Sequence, residues 1–261
     1  MSLHLAPVDL GPGVRAVFTG RGEGDEPVGA AGNLSHRRPH RPGRLARDRA
    51  AAAAAIGLDD RDVVRLRQVH GNEVVVVEDD VPAGAEVGPA DAAVTAQVGR
   101  GLAVLVADCV PVLFASEGAV AVAHAGRTGV VADVVAATVE RLRNLHEGPI
   151  RAAIGPAIRG CCYEVEDWLR DEVAYAHPPA RSTTTWGTPS LDLPAAVAAR
   201  LTSLDVAVDD LGACTHCDDR WFSHRRDGNA AGRQAGLVVR TRSPAQEDAT
   251  SAASGPDAAR P

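Results

Sequence analysis

Lysine is absent from the 261-residue chain, so all 27 basic side chains are arginines. That excludes Schiff-base chemistry and a phosphate-binding loop built around a lysine. No window approaches 18 uninterrupted apolar residues, so a membrane-spanning helix and a membrane partner are not expected. The opening residues, MSLHLAPVDLGPGV, lack a basic region followed by a continuous apolar one, so a secretory signal is not expected and a cytoplasmic location is. Without export, the five cysteines are expected to be reduced, and to act as ligands, nucleophiles or core residues. A net charge of −7 argues against broad nucleic-acid binding, although a local cluster of arginines can still hold a phosphate.

A second C-x-x-C is also missing. Cys214 and Cys217 are therefore read as a structural pair without metal, ahead of half of a structural zinc site or a redox pair. Cys161 and Cys162 are read as strand neighbours that point to opposite faces and share no ligand. From Ser243 to Pro261 the chain has no aromatic or branched aliphatic residue, which predicts a disordered tail. Residues 1–242 show neither repeat nor linker and are read as one domain.

Within that domain Ala- and Val-rich runs alternate with segments of helical spacing. Strands are expected at Val14–Thr19, Val63–Val69, Glu73–Glu78, the runs LAVLVADC and VLFA between 102 and 115 (broken only by Pro111), AVAVAHAG, Arg151–Ile154 and Leu237–Arg240. A Gly-rich loop is expected from Gly20 to Gly32. Helices are expected at Leu45–Ile56, from Gly129 to Leu145, at Val165–Tyr175, and after Asp192, a natural N-cap before Pro194. The fold class is α/β (mixed α+β), with mixed β-sheets flanked by helices.

Two β-runs carry the first candidate chemistry. A hairpin through Ser116–Gly118 would put position 109 or 110 opposite 124, with Cβ atoms about 4.5–5.5 Å apart. That spacing suits two ligands of one metal, since Cys and His bind zinc at about 2.0–2.3 Å. His70 ends an apolar strand before the turn pair Gly71-Asn72. Two histidines and a cysteine, with a fourth position left for water, describe a catalytic zinc site. Spacing alone leaves other roles open: each histidine could be a hydrogen-bonded core or surface residue, and Cys109 a small core residue.

The segments QVHG (68–71), DAAVT (91–95), ADCVPVLF (107–114), HAG (124–126), IGPAI (154–158), CYEV (162–165) and SHRRDGNAAGR (223–233) occur in an order that resembles the YfiH-type family, over about Val17 to Gly236. Members of that family are variously named multicopper polyphenol oxidase, purine nucleoside phosphorylase and peptidoglycan editing factor. The resemblance implies a YfiH-like fold and a catalytic zinc on His70, Cys109 and His124. It implies a purine nucleoside and phosphate as the small-molecule partners, with phosphorolysis or adenosine deamination as the reaction. Zinc would activate a water for deamination, and Asp108 or Asp91 would shuttle the proton. For phosphorolysis, arginines would orient phosphate toward the anomeric carbon.

The expected substrate contacts are Asn33, Arg49, Gln68, Asp91, Ser223, Arg225 and Arg233, while Arg226 is read as solvated surface. Two departures from the family pattern bear on turnover. HAGWRG is here His124-Ala125-Gly126-Arg127-Thr128-Gly129, and a histidine-glycine-aspartate stretch is replaced by Arg37-Arg38-Pro39-His40. Other readings of the same residues are a cysteine hydrolase with Cys109 as nucleophile and His124 as base, and a nucleoside-binding homologue that has lost turnover. Copper oxidation ranks below zinc, because no second histidine cluster accompanies the first. Oligomeric state is left open.

Overall fold

The computed structural model describes residues 3–22 and 31–242. The expected tail at 243–261 and most of the Gly-rich loop lie outside the described residues. Two six-stranded sheets dominate. The first has the order β1 (Leu3–Val8), β2 (Val14–Gly22), β14 (Gln234–Arg240), β7 (Gly101–Val106), β3 (Val63–Leu66) and β5 (Glu86–Val87). The second runs β13 (Ala207–Asp210), β10 (Arg151–Ile154), β8 (Val110–Ala115), β9 (Val120–Ala125), β6 (Ala92–Thr95) and β4 (Val74–Val76). A small hairpin joins β11 (Arg181–Thr183) to β12 (Pro189–Leu191).

Both sheets mix parallel and antiparallel pairs, and they pack face to face. Phe18, Leu102, Val104 and Val238 of the first sheet share one buried cluster with Leu113, Val120 and Val122 of the second. The outer face of the first sheet is covered by α1 (Pro42–Ala55), through Ala52 and Ala53 against Val17 and Leu237. The outer face of the second sheet lies under α3 (Val134–Leu145), α4 (Asp167–Ala176) and α5 (Leu193–Ser203), through Val139, Leu142, Val173 and Leu201. Layers of helix, sheet, sheet and helix leave the central strands covered on both faces, which is why β8 and β9 are buried at every position. Among the described residues no helix is long and apolar enough to cross a membrane.

Three expectations are corrected. The helix read from Gly129 to Leu145 is two helices, α2 (Arg127–Val131) and α3. Asp133 adopts a left-handed φ of 60° between them and accepts a hydrogen bond from the Ala136 amide. Arg200 of α5 compensates by binding both Asp133 oxygens. Next, Pro111 does not break the run but lies within β8 opposite His124. The His124 amide is spent on the Asp91 carbonyl, toward β6, so the β8 position facing it needs no donor on that side.

Finally, the hairpin register is one or two residues off the expected pairing of 109 or 110 with 124. Ser116 and Ala119 are themselves hydrogen-bonded, leaving a loop of only Glu117 and Gly118. That shortening slides Pro111 into the place opposite His124.

Candidate metal centre

Three connections bring chemistry to one end of the sandwich. The first links β3 of one sheet to β4 of the other and carries His70. The second links β7 to β8 and carries Cys109. The third leaves β9 just after His124. His124 continues the face of Val120 and Val122, so its ring enters the gap between the sheets. The ligating atoms of His70, Cys109 and His124 all lie within 4.8 Å of one another. Cys109 Sγ is 3.8 Å from His70 Nε2, and the two imidazoles stand edge to face with centroids 4.8 Å apart.

Asp91 organises two of the three. It is fully buried, and one of its oxygens lies 2.7 Å from His124 Nδ1. The same carboxylate accepts the amides of Val69, His70 and Gly71 at 3.1, 2.9 and 2.7 Å. Those three bonds bend the chain into the turn that gives His70 its left-handed φ of 63°. Such a backbone costs on the order of 1 kcal/mol for a non-glycine residue and persists where neighbours over-determine it. Thr128 adds a fourth constraint by donating to the His70 carbonyl at 2.8 Å. Gly126 completes the clearance: a Cβ there would stand 2.7 Å from the His70 ring and 3.3 Å from Cys109 Sγ.

Electrostatics follow from this packing. With Nδ1 of His124 held by Asp91, its Nε2 is left to face Cys109. Burial alone would push the Cys109 thiol up, but His124 and His70 outweigh it and bring the value down to about 6. Burial would lower His124, yet Cys109 and Asp91 raise it to about 9. Burial would raise Asp91, and the His124 and backbone hydrogen bonds more than reverse that.

Two cavities meet at Cys109. One, of about 350 Å³, is lined by Arg38, Gln68, His70, His124, His224 and Arg233 among others. Burial and the neighbouring Arg38 bring the Arg233 guanidinium down to about 10. The other, of about 190 Å³, is mostly apolar, with Ile158, Tyr163 and Leu193 beside Asp108, Arg127 and Arg225. Arg225 lies over the Tyr163 ring at 5.2 Å, and Arg127 lines the same cavity. The arginine that departs from the family pattern therefore lines the apolar cavity.

The expected site residues divide. His70, Cys109, His124, Gln68, Arg233, Asp108 and Arg225 line one cavity or the other. Gln68 also binds both the amide and carbonyl of Leu105. Asp108 has both oxygens occupied, by the Thr215 hydroxyl and the Arg225 amide, each at 2.6 Å. Asp91, Asn33 and Ser223, expected as substrate contacts, have at most 1% exposure. Asn33 instead fixes the loop below the cavity, accepting the amides of Ser35 and Arg233. Ser223 caps the short helix α6 (His224–Asp227) by accepting the Arg226 amide. Arg49 donates to the Leu34 carbonyl and lies outside both cavity walls.

Arg226 is not solvated surface. It is half-buried and donates to the carbonyls of Thr215 and Trp221. Nor are Cys161 and Cys162 on a strand. Both sit on a turn closed by Cys162 and Tyr163 amides on the Arg159 carbonyl, which lets adjacent sulfurs converge. Nothing in the spacing singles out Arg38, Tyr163 or His224. Tyr163 lies inside the CYEV segment, and that is the one signal pointing to it.

Known proteins resemble this chain over nearly its whole length. The family described as "Multi-copper polyphenol oxidoreductase laccase" matches residues 15–241. A purine nucleoside phosphorylase of Streptomyces griseus is 42% identical over 247 residues, 91% of this chain and 94% of its own. One from Mycobacterium tuberculosis is 41% identical over 244 residues, 90% of this chain and 96% of its own. Among solved structures, the Bacillus licheniformis hypothetical protein YfiH superposes with a TM-score of 0.77 at 27% identity, covering 87% of this chain and 92% of its own. YlmD of Geobacillus stearothermophilus gives 0.76 at 29%, covering 88% and 93%.

Proposed function

The chain belongs to the multi-copper polyphenol oxidoreductase laccase family, and we propose that within it this protein is a metal-dependent purine nucleoside phosphorylase. One observation carries the reading. The donors His70, Cys109 and His124 converge where a cation-lined cavity meets an apolar one. The names of the Streptomyces and Mycobacterium relatives agree with it.

The donor set fits a resident ion. Two imidazole nitrogens and a thiolate within 4.8 Å match the ligands that zinc takes in sites with an open position. Asp91 already holds Nδ1 of His124, which turns Nε2 toward Cys109, and the histidines already favour the Cys109 thiolate. A zinc ion bound there would supply Lewis-acid polarisation.

The remaining work falls to the chain itself. Arg38 and Arg233 hold phosphate in the larger cavity through charge-assisted hydrogen bonds. Tyr163, Ile158 and Leu193 hold the purine in the smaller one. A phosphate oxygen then bonds the ribose anomeric carbon as the bond to the base nitrogen breaks. The bonding pair leaves with the base, which takes up a proton. Holding both partners in adjoining cavities turns a two-body encounter into a positioned one. Deamination is a weaker reading, because both carboxylates that would shuttle its proton, Asp108 and Asp91, are committed to hydrogen bonds.

Copper accepts the same donor types. Polyphenol oxidation, however, needs several ions exchanging electrons, and the only other cluster among the described residues is made of four cysteines. A second reading has its own observation. Cys109, His124 and Asp91 form a thiolate, an imidazolium and an orienting carboxylate, as in a cysteine hydrolase.

The test is metal content together with inosine and adenosine assays in phosphate, with His70→Ala alongside. Zinc in the wild type, phosphate-dependent base release, and loss of both in the variant are expected. Phosphate-independent release of inosine from adenosine would replace phosphorolysis with deamination. A metal-free enzyme that stays active and is stopped by Cys109 alkylation would establish the hydrolase.

A further inference from the structure

Four cysteines gather outside the proposed catalytic centre. Cys161 and Cys162 come from the turn after β10, Cys214 and Cys217 from the segment after β13, and all four sulfurs lie within 4.8 Å of one another. We propose that Cys161, Cys162, Cys214 and Cys217 bind one zinc ion as a closed four-thiolate clasp that ties two walls of the apolar cavity together.

The spacing is that of a shared centre. Zinc–sulfur bonds of about 2.3 Å in a tetrahedron place neighbouring sulfurs about 3.8 Å apart. Here Cys161 lies 3.6 Å from Cys214 and 3.8 Å from Cys217, while Cys162 lies 3.1 Å from Cys217. Both Cys161 and Cys217 have two sulfur neighbours, as corners of one shared tetrahedron do.

Closed by four protein ligands, such a site does no chemistry, and its contribution is to folding. The two segments also meet through backbone bonds, Ala157 N to the Ala213 carbonyl and Thr215 N to the Ala157 carbonyl. One carries Ile158 and Tyr163 into the apolar cavity. The other carries Thr215, whose hydroxyl holds Asp108 beside Cys109. The clasp fixes the purine wall relative to the catalytic cysteine without touching substrate.

The experiment uses the full chain, purified reduced and free of any histidine tag. A His70→Ala, Cys109→Ala double variant disables the catalytic centre and leaves only these four cysteines. It is expected to retain one zinc per chain and, after stripping, to take up Co²⁺ with the sulfur-to-cobalt absorption of tetrahedral thiolate. Adding Cys217→Ser, at the exposed ligand, abolishes both signals. In the wild type, Cys217→Ser alone leaves the catalytic ion in place but raises the nucleoside KM several-fold. A double variant that purifies free of zinc with four reactive thiols, carries iron, or shows a disulfide by mass spectrometry overturns the proposal. The cobalt titration needs no variant at the clasp, so a misfolded Cys217→Ser chain does not blunt the test.

Discussion

The carboxylate of Asp91 reaches His124 Nδ1 at 2.7 Å on one side and the Gly71 amide at 2.7 Å on the other, so one buried group sets both histidines of the metal centre. Asp91→Ala strands three amides and the His124 ring together. Removing one partner of a buried charged pair costs about 3–5 kcal/mol. Urea denaturation of the stripped protein is expected to show a loss of that order. A loss below about 1 kcal/mol would mean that water takes over the role of the carboxylate. In Asp91→Asn, which keeps the shape, zinc affinity is expected to fall roughly 10–100-fold, as for other partners of metal-bound histidines, when measured by chelator competition.

Acid sensitivity follows from the same group. Its folded pKa lies below the unfolded value, so its contribution is fully present above about pH 4 and is lost as pH falls through the folded value. Stripped wild-type protein is expected to lose stability below about pH 4, and Asp91→Asn to show a flatter acid limb. Parallel acid limbs would place the sensitivity in other carboxylates.

Cys109 is poised as a thiolate, with its value drawn down to about 6 by His124 and His70 after burial is overcome. In the metal-stripped protein, peptide mapping after iodoacetamide is expected to show alkylation of Cys109 with a midpoint near that pH. His124→Ala removes the largest opposing contribution and shifts the midpoint upward. An unchanged midpoint would mean that the two side chains do not interact in solution.

Gly126→Ala tests the clearance beneath the two ligands. The Gly126 backbone, at φ −72° and ψ 169°, is one any residue adopts, so the effect is purely steric. The added Cβ would stand 2.7 Å from the His70 ring. The His70 backbone cannot yield, since Asp91 and Thr128 both hold it. Zinc affinity is expected to drop at least about tenfold while the fold persists, because an overpacked site costs about 1–3 kcal/mol. Unaltered affinity would show that the ring swings aside.

How much of this was legible depends on how local each cause is. His70, Cys109 and His124 stand out because each ends or flanks an apolar run, and runs of that kind show in spacing. The β8–β9 pairing was legible, but its register was not, since one residue of loop length between Ser116 and Ala119 decides it. The role of Asp91 depends on amides 20 to 22 residues away, which no periodicity reports. The break at Asp133 rests on Arg200, 67 residues further along. The four cysteines escaped for a related reason. Turn and strand place adjacent side chains differently, and nothing in Cys161-Cys162 says which of the two holds.

The arginines of the larger cavity provide the test that separates phosphate from nucleoside. Arg233 is held by carbonyls of its own loop, at Ala231 and Gly232, and its amide is fixed by Asn33, so its guanidinium is positioned before any ligand arrives. Arg38 has no ion-pair partner among the described residues, whereas its neighbour Arg37 pairs with Glu86. Charge-assisted hydrogen bonds are worth about 1.5–3 kcal/mol each, or roughly 10–150-fold in binding. Arg38→Ala is therefore expected to raise the KM for phosphate within that range and to leave the nucleoside KM within about twofold. Tyr163→Leu should do the reverse, because it removes the aromatic wall from the apolar cavity and leaves the cationic one intact. If both variants raise the same constant, phosphate and base do not occupy separate cavities, and the two-cavity assignment fails even if phosphorolysis stands.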